Sequence, residues 1–134
     1  MIVYAPDVRN AMMEALRAAI DAADPLPGHL KLYSGPQPAA GNPITTETLL
    51  ADISLTIPCG SIANGILTLA TPIEDSNLPD SGTIIWGRLV DGNAAWVADL
   101  DVGAEGSGAA LELAGVIVYQ GGIVRITAAV LTLA

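Results

Sequence analysis

The chain has 134 residues, with five Lys/Arg against fourteen Asp/Glu for a formal net charge of −9, so it fits one domain able to bury about two-thirds of its unfolded surface. Its cations Arg9, Arg17, Lys31, Arg88 and Arg125 are never adjacent, which leaves no cationic stripe to displace counterions from phosphates and excludes nucleic acid and anionic membranes as partners. Apolar residues make up 51% and charged residues only 14%, against about 25% in an ordinary domain, so part of the surface is expected to be covered by other chains.

In chain order, residues 6 to 23 read as a helix. Val8, Met12, Ala15, Leu16, Ala19 and Ile20 fall on one face, with Asp7, Asn10, Glu14, Arg17 and Asp21 on the other. Pro6 suits a first helical turn and Asp7 the positive end of the helix dipole, while Pro25 and Pro27 stop the helix. The helix either packs on the chain's own sheet or docks as an arm on a neighbouring subunit. No basic region followed by an apolar run precedes it, so no signal peptide is expected, and no apolar run of about 18 residues predicts a membrane span.

Beyond Gly28 the apolar period changes from 3.6 to 2. Strands are predicted at 29–33, 48–57, 64–70, 82–90, 94–102, 109–113, 115–119 and 122–133. Asp91-Gly92 and Gly121-Gly122 read as hairpin turns, and Asn64-Gly65 as the opening of a strand. Segments 34–47 and 71–81 read as polar surface loops. The expected fold is therefore mainly β: an antiparallel β-sandwich of jelly-roll or immunoglobulin-like type with one N-terminal α-helix. Residues 1–27 form the helix or arm and 28–134 the sandwich, together one domain.

Few residues invite chemistry. His29 is the single histidine and begins a strand. Cys59 is the single cysteine, so no intrachain disulfide and no cysteine-based zinc site follows. Asp99 and Asp101 share one side of a strand and read as a solvated face, and Gly103 to Gly108 lacks the lysine and helix of a phosphate loop. No catalytic, cofactor-binding or metal-ligating set emerges, and an enzyme is not expected. Trp86 and Trp96 flank Asp91-Gly92 and are expected to be cross-strand neighbours. Val8, Met12, Leu16, Ile20, Tyr33, Trp86 and Trp96 are the candidate subunit-interface residues.

Three stretches resemble a family of small structural proteins of tailed bacteriophages and prophages. The first is Leu30-Lys31-Leu32-Tyr33-Ser34-Gly35-Pro36-Gln37-Pro38-Ala39, followed by Leu49 to Leu55. The second is Ser81 to Asp91, with its Trp86-Gly87-Arg88, and the third is Leu111 to Leu133. The resemblance implies a virion protein without catalytic residues: a capsid decoration, or cement, protein that bridges neighbouring capsomers. Its partner would be the major capsid protein and its assembly a homotrimer, made in the host cytoplasm and placed on the capsid surface. A neck, tail or baseplate protein is the alternative, and a receptor- or carbohydrate-binding module a further one.

Overall fold

The computed structural model describes residues 1–70 and 73–132. Helix α1 spans Pro6–Ile20, and strands β1 (His29–Tyr33), β2 (Leu49–Ser54), β3 (Gly60–Ala63), β4 (Ile66–Leu69) and β5 (Ile73–Ser76) follow. Then come β6 (Gly82–Thr83), β7 (Trp86–Val90), β8 (Trp96–Ala104), β9 (Leu111–Leu113), β10 (Ile117–Val118) and β11 (Ile123–Thr132). The protein is mainly β with one helix among the described residues. Thr71, Pro72 and the last residue of the expected terminal strand, Leu133, lie outside them.

One hydrogen-bonded path runs β2-β1-β7-β8-β9-β11-β4-β3, with β5 also on β11 and a separate β10-β6 pair. β4 and β5 serve successive halves of the long β11. The sheet curls until β2 meets β5, where the Asp52 backbone N–H donates to Asp75 Oδ2 at 3.0 Å. The inner side collects Leu30, Leu32, Leu50, Ile53, Leu69, Leu89, Leu111, Leu113, Val124 and Ile126, each no more than 5% exposed. Without Phe, branched aliphatic side chains on alternate strand positions fill this volume, as the period-2 pattern requires.

The expectation of purely antiparallel pairing is corrected at one place. β8 and β9 are parallel, with Val102, Gly103 and Ala104 opposite Leu111, Glu112 and Leu113. Parallel neighbours ordinarily need a long crossover. Here Gly106 (φ +82°) and Gly108 (φ +81°) let a short loop reverse twice. The sheet is therefore mixed.

Three strand expectations also change. Asn64-Gly65 does not open a strand. It is the turn of a β3–β4 hairpin, with φ of +53° and +75° matching a type I′ turn, and β3 is an added strand. The expected strand 82–90 is two pieces, β6 and β7, on different partners. The expected loop 71–81 contains β5. Gly121-Gly122 joins β10 to β11 without forming a hairpin between them, because the two strands pair with different partners.

Helix α1 packs in cis, across β3, β4 and β8. Its buried line is not the expected one. Met13 and Ile20 are buried and Met12 and Leu16 half-buried, while Val8, Ala15 and Ala19 are exposed. Polar anchors choose the rotation: Gly65 N–H donates to Asn10 Oδ1 (2.7 Å), and Arg17 Nη1 donates to the Gly60 carbonyl (3.1 Å). The helix ends at Ile20, earlier than residue 23, and Asp21 N–H closes the last turn on Arg17 O. Met13→Ala should lower the unfolding free energy by about 2–5 kcal/mol and Val8→Ala by less than about 0.5 kcal/mol. Urea unfolding of the two variants checks which face of the helix is packed.

Candidate functional site

On the outer side of the sheet, register assembles a polar and aromatic layer. Tyr33 on β1 lies opposite Trp86 on β7, and Arg88 lies opposite Asp99 on β8. Tyr33 and Trp86 stack with ring centroids 4.7 Å apart and planes 17° from parallel. The Arg88 guanidinium sits 5.2 Å from the centre of the Trp86 ring, within cation–π range. Burial raises the Tyr33 hydroxyl above its ordinary pKa, against the opposing pull of Arg88.

Arg88 and Asp99 form a forked ion pair: Nε donates to Oδ1 at 2.7 Å and Nη2 to Oδ2 at 3.1 Å. Their side chains are 9% and 3% exposed. Asp99 therefore does not belong to a solvated strand face, as its spacing from Asp101 implied. It also accepts from Trp96 Nε1 (3.1 Å) and from the Gly41 backbone N–H (3.4 Å). Burial pushes its carboxyl up, but Arg88, Gly41 and Trp96 together hold it below the ordinary value. The bond to Asp99 raises Arg88 further against the opposing effect of burial.

Through Asp99, loop 34–47 is clamped onto the sheet. Gly41, at φ +77°, lies flat against Trp96, where an added Cβ would come within 2.9 Å of the indole ring. The two tryptophans are not cross-strand neighbours. Trp86 pairs with Asp101 and Trp96 with Val90, because the connection 91–95 is held by Asp91 Oδ1, which accepts from Asn93 and Ala95, and a bulge follows Leu89.

Of the candidate interface residues, Ile20, Tyr33 and Trp86 are buried in this chain's own interior and offer no surface. Met12 and Leu16 are half-buried. Val8 (44%) and Trp96 (49%) remain open to a partner. Two exposed apolar regions escaped the sequence reading. Met1, Ile2, Val3 and Tyr4 precede the helix with little cover, and Ile117, Tyr119 and Ile123 crowd the β10–β11 turn at 63%, 70% and 53% exposure. Ile117 and Tyr119 lie in or beside β10, which pairs with β6, and Ile123 begins β11 opposite Ser76 of β5.

The remaining flagged residues stay apart. His29 Nδ1 lies 2.8 Å from Asp52 Oδ1 in a small cleft with Lys31 and Asp91, which contains no serine or cysteine. Cys59 is buried at the end of the helix, its N–H donating to Asp21 Oδ2, and burial pushes its thiol up to about 12. Asp101 accepts from the Ala110 N–H. Among the described residues, no group of three or more His, Cys, Asp or Glu could hold a metal ion, and no helix is long and apolar enough to cross a membrane. No protein-family pattern, curated protein or solved structure compared with the chain matches it.

Arg88→Met leaves Asp99 buried without its partner and should cost about 3–5 kcal/mol, whereas Arg88→Met combined with Asp99→Leu should recover most of that loss. Because the folded Asp99 pKa lies below the unfolded one, its contribution is complete above the ordinary carboxyl range and fades as pH falls through the depressed value. Urea midpoints between pH 7 and acid should thus fall more steeply for wild type than for the double variant. The Cys59 thiol should resist an aromatic disulfide reagent at pH 8 in the native protein and react promptly in denaturant, followed by absorbance.

Proposed function

We propose that this chain is a non-enzymatic virion protein of a tailed bacteriophage or prophage, a capsid decoration (cement) protein that bridges neighbouring capsomers. Its partner would be the major capsid protein. The observation that carries the reading is the exposed apolar knob of Ile117, Tyr119 and Ile123 on a chain with few charges. Contiguous exposed apolar side chains on a domain with a well-filled interior mark a surface that another protein covers.

The resemblance at the sequence level supports the same reading. Its stretches Leu30–Ala39, Leu49–Leu55 and Ser81–Asp91 lie side by side in β2, β1 and β7. Their signature side chains Tyr33, Trp86 and Arg88 are used in stacking and in the buried ion pair. These signature residues build part of the scaffold, while the third resembling stretch, Leu111 to Leu133, carries the exposed Ile117, Tyr119 and Ile123. The proposal includes the finer reading of the fold, in which the curled sheet is a closed jelly-roll or immunoglobulin-like sandwich.

Capsids depleted of the protein should bind the purified chain to saturation and regain resistance to heat. Tyr119→Asp together with Ile123→Asp should weaken that binding by more than about tenfold, the equivalent of ~1.4 kcal/mol, with an unchanged circular dichroism spectrum. A chain that ignores capsids but binds isolated tails would move the protein to the neck, tail or baseplate. A chain that binds neither would sink the virion reading.

A further inference from the structure

A second apolar feature lies where the sheet parts. β9 begins at Leu111, so it fills the space between β8 and β11 only along Val102–Ala104 and up to Ala129. Before that point β8 pairs with β7 on one edge and, among the described residues, with no strand on the other. Helix α1 bridges the opening by resting on β4 and β8. The result is a cleft of about 520 Å³ lined by Met13, Leu16, Ala98, Leu100, Ala109 and Val130, with Asp101 at its rim. Small side chains on β8 and on the loop before β9 keep it open.

The segment before the helix has the opposite character. Met1, Ile2 and Val3 are 116%, 71% and 85% exposed, and Tyr4 37%. It is apolar, and the first charged side chain is Asp7. Ala5 has φ −61° and ψ 150°, so the chain is extended where it meets the helix. Pro6 enforces this geometry, because its ring excludes helical conformation at the residue before it. The chain is therefore extended where it enters the helix, and Met1, Ile2 and Val3 stay uncovered. An uncharged strand is also the part of a chain of net charge −9 that a second copy can approach with least repulsion.

We infer that Met1–Tyr4 of one copy enters the cleft between α1, β8 and β11 of a second copy, pairing with the open edge of β8. Each copy gives a segment and receives one, so the exchange is reciprocal in a two-fold dimer or head-to-tail in a ring when the rotation closes. Edge pairing supplies backbone hydrogen bonds and the apolar lining takes alternate side chains, the ordinary mode of strand addition. This inference does not rest on the virion reading, since it requires nothing but copies of this chain.

Two measurements test it. Sedimentation equilibrium should give a multiple of the 13.6 kDa chain mass for wild type and the mass of a single shortened chain for a variant lacking residues 1–5. A wild-type chain that stays monomeric, or a shortened chain that still associates, overturns the proposal. In the second, a protein carrying Val3→Cys is mixed with one carrying Ala98→Cys under mild oxidation, while the buried Cys59 stays silent. A disulfide-linked pair should form readily, and far faster than with Tyr119→Cys in place of Ala98→Cys. No linked pair, or equal linkage to Tyr119→Cys, would show that the segment docks elsewhere or not at all. The intact segment in this experiment separates a docking failure from any folding defect of the shortened chain.

Discussion

A guanidinium taken out of water must meet a carboxylate, and Arg88 has one that reaches it with two parallel hydrogen bonds. The pair forms only when Arg88 and Asp99 are opposite each other, so it selects the β7–β8 register. A slip of β7 by one residue would turn Leu89 outward and carry Arg88 to the apolar interior, away from Asp99. The same carboxylate then holds Gly41 and Trp96, which brings loop 34–47 down over the sheet. One ion pair thus sets a strand register and the position of a long loop. Replacing it with apolar side chains would leave the packing but remove the device that distinguishes this register from its neighbours.

The two sides of the sheet do different work. Inside, aliphatic side chains from nearly every strand close a volume without Phe, and the curl that brings β2 to β5 is what gives them a common interior. Outside, Tyr33, Trp86 and Arg88 form a second, smaller layer covered by the loop. Burying residues on both faces explains why β7 has no exposed position at all. A strand so placed belongs to the middle of a structure, and the exposed apolar residues accordingly lie at the periphery, before the helix and at the β10–β11 turn.

Those peripheral residues leave the chain with two separate exposed apolar regions. The knob around Tyr119 suits a large foreign surface, and the segment before α1 suits a narrow cleft. On the proposed reading, one of these contacts would serve the support and the other further copies of the chain. The low charge content makes such contacts inexpensive in desolvation, since few ionised groups must be stripped of water.

Much of this was legible from residues alone. The change from a 3.6 to a 2.0 apolar period located the helix and most strands, because side-chain direction follows directly from backbone repeat. Asn64-Gly65 read as the opening of a strand, and its role as a hairpin tip depended on recognising Gly60–Ala63 as a strand. Other features rested on distant residues. Met12 and Met13 are equally apolar, and only the anchors Asn10 and Arg17 on the β3–β4 hairpin decided which is buried. Asp99 and Asp101 look alike in spacing, yet one faces Arg88 and a covering loop and the other faces solvent. The parallel β8–β9 pair and the cleft it opens followed from two glycines whose φ a sequence does not state. Local patterning determined which segments are strand or helix, because that is a property of consecutive residues. Which faces are covered was decided by tertiary structure, because burial depends on what the chain brings back from dozens of residues away.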